Sequence, residues 1–135
     1  MQSSHREAKT RALNGVQLLI VEDDFLLLMD LEEVLLAAGA VRVQACRTIE
    51  EALLVAEREE ISAAILDVRI GAESIAPVAR KLAARGTPFV FYTGQLGNDP
   101  MMEEWPGCRT LSKPALPQMI VNAVAELLRP RALSA

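Results

Sequence analysis

The feature that most constrains the fold is a short, largely apolar run, residues 16–21, that leads directly into Glu22, Asp23 and Asp24. A run of this length is typical of a strand that is buried on both faces, as in a parallel sheet. Acidic side chains at the carboxyl end of such a strand lie where open α/β sheets bind their ligands. Because close carboxylates repel one another by several kcal/mol (roughly 4 at 4 Å and an effective dielectric near 20), we expect a hard cation to bind there.

Composition and charge exclude several classes of protein. The chain has 135 residues, of which 51% are hydrophobic and 24% charged, so it is expected to form one soluble domain with one core. A net charge of -4 and the lack of a long basic run argue against nucleic-acid binding. The apolar runs are too short to span a bilayer, and the first residues lack a signal-peptide pattern, so we expect a cytoplasmic protein that does not bind membranes.

Strands and helices alternate along the chain. Strands are predicted at 16–21, 41–45, 63–66, 89–92 and 109–111, and helices at 25–38, 48–58, 74–84 and 117–129, with a short helix between Asp99 and Trp105. This order predicts an α/β fold with a parallel sheet and helices on both faces. Residues 1–14 are predicted to be a flexible arm, 15–130 the single domain, and 131–135 a short tail.

Four of the five predicted strands end in residues whose side chains can react or bind ligands. Asp67 follows the third strand, Thr93 the fourth and Lys113 the fifth, in addition to the acids after the first. Because the carboxyl ends of parallel strands share one edge of a sheet, three acids, a hydroxyl and an ammonium are expected to converge there. Asp24 is interpreted as the cap of the first helix, and a capping role is the alternative for Asp23.

This constellation resembles the receiver domain of two-component response regulators, of the single-domain, CheY-like kind. The motifs that carry the resemblance are residues 18–24, 65–67, 90–94 and 113–114, and the resemblance covers roughly residues 16–129. It implies a doubly wound, flavodoxin-like sheet of five parallel strands in the order 2-1-3-4-5.

The resemblance implies a role for each residue at the strand ends. Asp67 would be the phosphoacceptor, and a carboxylate is a competent nucleophile toward phosphorus. Asp23 and Asp67 would ligate Mg²⁺, with Glu22 reaching the ion through water and the backbone carbonyl of Arg69 supplying another oxygen. Catalysis would then consist of placement and charge neutralisation.

Further roles are implied around the phosphoryl group. Lys113 would bind the phosphoryl oxygens, and the bond from Lys113 to Pro114 would be cis. Thr93 would be the switch residue, whose hydroxyl binds a phosphoryl oxygen and moves the loop after it. Arg69 and Gln95 occupy positions that tune loss of the phosphoryl group, and we hypothesise that Arg69 sets the phosphoryl lifetime.

The sequence departs from the common receiver pattern at two positions. Gly71 stands where many receivers have proline, and Thr110 stands where many have an aromatic switch residue. Residues 91–94 and 71–74 resemble instead a subgroup of single-domain receivers with an F-x-T-G motif. Members of that subgroup tend to work with histidine kinases of the HWE and related types.

The resemblance to receiver domains also implies which kinds of molecule the protein would interact with. His5, in the predicted arm, is the only histidine, so the phosphodonor is expected to be a histidine kinase, a phosphotransfer protein or a small phosphorylated molecule. The protein would then signal by binding a downstream protein or act as a phosphate sink. The apolar first helix and the last helix are both candidates for a partner or homodimer face.

Two alternatives stay open beside the phosphorylated switch. One is a pseudo-receiver that binds proteins without being phosphorylated, which the lack of an aromatic residue at Thr110 favours. The other is an enzyme on the same fold, such as a flavoprotein or a phosphatase with an aspartate nucleophile. The sequence lacks a glycine-rich phosphate loop after the first strand and a second aspartate two residues after Asp67, so an enzyme is disfavoured.

Overall fold

The computed structural model describes residues 12–94 and 99–129. Its strands are β1 (Gln17–Val21), β2 (Arg42–Cys46), β3 (Ala63–Leu66), β4 (Arg69–Ile70), β5 (Glu73–Ser74), β6 (Phe89–Thr93) and β7 (Thr110–Ser112). Its helices are α1 (Phe25–Ala37), α2 (Ile49–Arg58), α3 (Ala76–Ala84) and α4 (Pro117–Leu128), with a 3₁₀ helix over Pro100–Glu104. Within these ranges no helix combines the length and the apolar character that crossing a bilayer requires.

Five of the strands form one parallel sheet in the order β2-β1-β3-β6-β7. The other two strands, β4 and β5, form a separate antiparallel hairpin between β3 and β6 in the sequence. Counted without the hairpin, the sheet order is 2-1-3-4-5. The predicted doubly wound, flavodoxin-like α/β fold is therefore confirmed.

The two faces of the sheet carry two separate hydrophobic clusters. On β1, Leu18 and Ile20 pack with α1 and α4, whereas Leu19 and Val21 pack with α2 and α3. All four side chains are buried because successive residues of a strand point to opposite faces and both faces are covered. Burial on both faces explains why β1 is a nearly continuous apolar run.

The described chain begins with a turn that belongs to the core. Leu13 is fully buried in the cluster formed with α1 and α4, and its N–H donates to the carbonyl of Ala38 at 3.0 Å. The last residues assigned to the flexible arm are therefore packed against the domain. Residues 1–11, which include His5, and 130–135 lie outside the described residues, so the remainder of the predicted arm and tail stays a prediction.

The hairpin after β3 was not predicted, and it shifts the start of the next helix. That helix was predicted to begin at residue 74, but Ser74 pairs with Arg69 in the hairpin, and α3 begins two residues later at Ala76. Its hydroxyl oxygen still accepts a hydrogen bond from the N–H of Ala76 at 3.1 Å. The helix predicted over 48–58 is α2, which Thr48 caps, because its hydroxyl accepts from the N–H of Glu51 at 3.1 Å.

The predicted short helix between Asp99 and Trp105 is the 3₁₀ helix. The Asp99 carboxylate caps it by accepting from the N–H of Met101 at 3.0 Å. The indole of Trp105 then packs edge-on against the rings of Phe89 and Phe91, with centroid distances of 5.9 and 6.3 Å. This short segment therefore covers β6 on the face that α2 and α3 share.

Replacing Leu13 by alanine tests whether the turn before β1 is part of the core. Leu13→Ala should lower the free energy of unfolding by about 2–5 kcal/mol, because it leaves a cavity in a packed site. Leu26→Ala, at a side chain that is 76% exposed, should change it by less than about 0.5 kcal/mol. Denaturant unfolding measures both, and equal losses would contradict the core assignment.

Candidate functional site

The acidic residues after β1 and β3 are brought together by the register of these two strands. Val21 pairs with Leu66, and the ladder continues past them, since the N–H of Asp67 donates to the carbonyl of Val21 at 3.0 Å. On the other side, the N–H of Glu22 donates to the carbonyl of Cys46 at 3.0 Å. Both acidic residues are thus fixed to the sheet through their main chains.

Three carboxylates meet at this edge of the sheet. Glu22, Asp23 and Asp67 each offer an oxygen that lies within 4.8 Å of the others, and Glu22 and Asp67 are buried. The convergence predicted from the strand ends is therefore present. Such a set of oxygen ligands is the kind that hard divalent cations prefer.

Lys113 reaches the same site from the last strand. Thr93 pairs with Ser112, and the N–H of Lys113 donates to the carbonyl of Thr93 at 3.0 Å. The Lys113 ammonium lies 2.7 Å from Oε1 of Glu22 and 2.9 Å from Oδ2 of Asp67. The peptide bond between Lys113 and Pro114 is cis.

The electrostatics of the site oppose ionisation of Glu22 and favour that of Lys113. Burial raises the pKa of Glu22, and the nearby Asp67 adds to this, while Lys113 and the N–H of Asp24 partly oppose it. Burial alone would lower the pKa of Lys113, but its contacts with Glu22 and Asp67 raise that pKa above its ordinary value. Lys113 is therefore the cation that balances part of the acidic cluster.

The two oxygens of the buried Glu22 carboxylate have different partners. Oε2 accepts a hydrogen bond from the N–H of Asp24 at 3.0 Å, and Oε1 contacts the Lys113 ammonium at 2.7 Å. Buried carboxylate oxygens usually have such partners. Because both oxygens are already engaged within the protein, the arrangement fits the water-mediated role implied for Glu22.

Asp23 is held from two sides. Its carbonyl accepts from Nη2 of Arg47 at 3.1 Å and from Nε at 3.4 Å. Its Oδ2 accepts from the N–H of Gly71 at 2.8 Å. Gly71 lies between the hairpin strands at a φ of 62°, in the left-handed region that favours glycine, and proline at this position would have no N–H to donate.

Tyr92 supports the loop that carries Lys113, a role that sequence analysis missed. The N–H of Ala115 donates to the buried Tyr92 hydroxyl at 3.0 Å, and the Lys113 ammonium lies 5.7 Å from the centre of the Tyr92 ring. The available signal was the tyrosine itself, because a tyrosine inside an apolar strand needs a partner for its hydroxyl.

The remaining predicted residues lie around this centre. Thr93 is buried at the end of β6, and Asp24 caps α1 as interpreted, since its Oδ1 accepts from the N–H of Leu27 at 3.1 Å. Arg69 is half exposed, and its Nε binds Oδ2 of Asp99 at 2.8 Å. Gln95 lies outside the described residues, and the roles assigned to Arg69 and Thr93 stay predictions.

Solved structures with a similar fold include two receiver domains that match most of the chain. A CheY-like response regulator receiver domain protein from Methanospirillum hungatei is 23% identical, and the match covers 85% of this chain and 94% of that one with a TM-score of 0.75. A response regulator receiver protein from Sinorhizobium medicae is 24% identical, with coverages of 86% and 96% and a TM-score of 0.75.

A third similar structure is a response regulator protein from Burkholderia pseudomallei. It is 21% identical, with coverages of 81% of this chain and 66% of that one and a TM-score of 0.70, and it was solved with a phosphorylated aspartic acid, a calcium ion and citrate. No protein-family model and no curated protein matches the sequence. At these identities the likeness establishes the fold of a receiver domain, as the sequence motifs implied, while membership of the F-x-T-G subgroup stays a prediction.

The raised pKa of Glu22 predicts a pH-dependent stability difference between the wild-type protein and Glu22→Gln. A carboxyl group whose pKa is higher in the folded state stabilises that state below its unfolded pKa, near 4.5, and this contribution is lost as pH rises through the folded pKa. Without added cation, the wild type should therefore lose stability relative to Glu22→Gln as the pH rises from about 4 to 7. The difference in the free energy of unfolding, Glu22→Gln minus wild type, should increase over this range. Urea unfolding across this range measures the difference, and a decrease would contradict the prediction.

Proposed function

We propose that this protein is the phosphoacceptor switch of a two-component system and accepts a phosphoryl group on Asp67. The observation that carries the proposal is the position of the Lys113 ammonium, in contact with both Glu22 and Asp67 beside a cluster of three carboxylates. The shared fold, and the phosphorylated aspartic acid of the Burkholderia pseudomallei response regulator, support it.

In the proposed reaction Asp67 is the nucleophile. One of its carboxylate oxygens forms a bond to the phosphorus of the donor, and the bond from phosphorus to the donor atom breaks. The donor atom keeps the electron pair, and Asp67 becomes an acyl phosphate. A histidine kinase, including one of the HWE type, a phosphotransfer protein or a small phosphorylated molecule would supply the group, so the chain acts as a switch and not as an enzyme that turns over a separate substrate.

The acidic cluster would hold Mg²⁺ through Asp23, Asp67 and the backbone carbonyl of Arg69, with Glu22 binding through water. When bound, the ion would neutralise the charge on the phosphoryl oxygens. The chain's own residues supply the rest of the proposed chemistry. Three hydrogen bonds hold these acids before any donor arrives: the main-chain bond of Asp67 to Val21, the bond from the Arg47 guanidinium to the Asp23 carbonyl, and the bond from the Gly71 N–H to Oδ2 of Asp23.

Lys113 would change partners when the phosphoryl group arrives. Its ammonium now contacts Oδ2 of Asp67, and the transferred group brings three strong acceptor oxygens to that side chain. Thr93, at the end of the neighbouring strand, would offer its hydroxyl to one of them and carry the change into the loop that follows. The usual aromatic partner of such a switch is replaced by the exposed Thr110, so the change would be transmitted through that loop.

The switched state would act through protein contacts, either on a downstream target or as a sink for phosphoryl groups, in the cytoplasm. The same fold without phosphorylation would be a protein-binding module, and Thr110 is the feature that favours this second candidate. Phosphorylation of Asp67 distinguishes the two.

Incubation with Mg²⁺ and acetyl phosphate tests the acceptor directly. The wild-type protein should gain one phosphoryl group by mass spectrometry, and Asp67→Asn should gain none, because it lacks the nucleophilic carboxylate. Asp24→Ala is the matched control, since Asp24 caps α1 and its loss should cost about 1 kcal/mol of stability without preventing phosphorylation. Equal labelling of wild type and Asp67→Asn would refute the acceptor assignment, and an unlabelled wild type would favour the protein-binding module.

Arg69→Ala tests the proposed tuning role. Arg69 follows Asp67 by two residues, and its guanidinium, which pairs with Asp99, would turn from there to shield the phosphoryl group from water. Its removal should therefore shorten the phosphoryl lifetime several-fold. The loss of labelled phosphate with time measures this. Arg80→Ala is the control, because Arg80 is an exposed arginine that pairs with Glu104. Equal lifetimes for wild type and Arg69→Ala would end the hypothesis.

A further inference from the structure

The loop between β1 and α1 carries Asp23, and the sheet itself holds only the start of this loop. The last main-chain bond between β1 and the neighbouring strand β2 joins the N–H of Glu22 to the carbonyl of Cys46, where β2 ends. Asp23 follows Glu22, and Arg47 follows Cys46. At this point the side chain of Arg47 continues the pairing, because its Nη2 and Nε donate to the Asp23 carbonyl at 3.1 and 3.4 Å.

From this contact we infer that Arg47 is a positioning residue for the cation site and acts through the main chain of Asp23. The inference rests on the proposed function, because it concerns the affinity of the acidic cluster for Mg²⁺. The Gly71 N–H, which binds Oδ2 of Asp23 at 2.8 Å, holds the other end of the same residue. With its carbonyl and one carboxylate oxygen both restrained, Asp23 is preorganised as a ligand.

Arg47 is itself held in place by two contacts. Its guanidinium lies over the ring of Phe25, with its central carbon 5.3 Å from the ring centre, and its main-chain N–H donates to Oε1 of Glu51 at 3.2 Å. Phe25 is 51% exposed at the first position of α1, where an aromatic ring contributes little to the core. Its stacking on Arg47 gives this exposed ring a role, because a cation over an aromatic face is attracted by about 0.5–1 kcal/mol at an exposed site.

The positioning role and the charge of Arg47 predict opposite effects on cation binding. A guanidinium near the acidic cluster repels Mg²⁺, so charge alone predicts that Arg47→Ala binds Mg²⁺ more tightly. Positioning predicts the reverse, since an Asp23 that must be ordered on binding is a weaker ligand. Loss of a residue that orients a metal ligand typically lowers metal affinity by 10–100-fold, so the positioning effect is expected to dominate.

Calorimetric titration of Mg²⁺ into the 135-residue chain and its variants tests the inference. Arg47→Ala should bind Mg²⁺ about tenfold more weakly than the wild type. Arg47→Lys should fall between them, because an ammonium can donate to the Asp23 carbonyl but lacks the two-pronged geometry of a guanidinium. Arg42→Ala is the control for lost charge, since Arg42 is an exposed arginine at the opposite end of β2 and pairs with Glu59, and its affinity should stay within about twofold of the wild type.

A double-mutant cycle separates positioning from a general structural effect. Phe25→Leu should weaken Mg²⁺ binding in the wild-type background and have no further effect in the Arg47→Ala background, because the ring acts through the guanidinium. Thermal unfolding in EDTA should be nearly the same for the wild type and Arg47→Ala. If Arg47→Ala does not fold, the Mg²⁺ affinities of Arg47→Lys and Phe25→Leu test the positioning role instead, and both should be lower than that of the wild type.

The outcomes separate this inference from the proposed function. Unchanged or tighter Mg²⁺ binding by the Arg47 variants would overturn the positioning role, and so would an equal loss in Arg42→Ala. Phosphorylation of the wild type on Asp67 would leave the proposed function standing in either case. Failure of the wild-type protein to bind Mg²⁺ would overturn both.

Discussion

The ion contact of Lys113 with Glu22 and Asp67 is the interaction on which the rest of the site depends. Two buried carboxylates at short range repel each other and lose hydration, and the ammonium offsets both costs. Removing one partner from a buried ion pair typically costs about 3–5 kcal/mol, although an apolar replacement of the whole group is often as stable. An ion pair of this kind is therefore weak evidence of stability, and the proposed function would account for it, since there the same ammonium binds an incoming phosphoryl oxygen.

This contact exists because a parallel sheet places the ends of β1, β3 and β7 at one edge. Each functional residue is also tied to a neighbouring strand or loop: Asp67 to Val21, Lys113 to Thr93, and Asp23 to Gly71 and Arg47. These ties are main-chain bonds or bonds to main-chain atoms. The sheet therefore sets the positions of the acids and the lysine, and short loops refine their orientation.

The elements that could be predicted from sequence are those with strong local signals. The strand over 63–66 was predicted at its observed bounds, since an apolar run flanked by polar residues leaves little choice, and Asp67 follows from it. The hairpin of β4 and β5 was missed because two-residue strands have no periodicity to detect. The ties of Arg47 to Asp23 and of Tyr92 to Ala115 join residues more than twenty positions apart, so no local pattern reports them. For the same reason the exposed ring of Phe25 had no interpretation until its stacking on Arg47 was known.

The packing of Trp105 has a practical consequence. It is the only tryptophan in the chain, and its indole lies against Phe91, two residues before Thr93 in β6. Light absorbed and emitted by this one side chain reports on the strand that ends at the proposed switch residue. The protein thus carries an intrinsic optical probe, placed by its own fold, of rearrangements that travel from the end of that strand to Phe91.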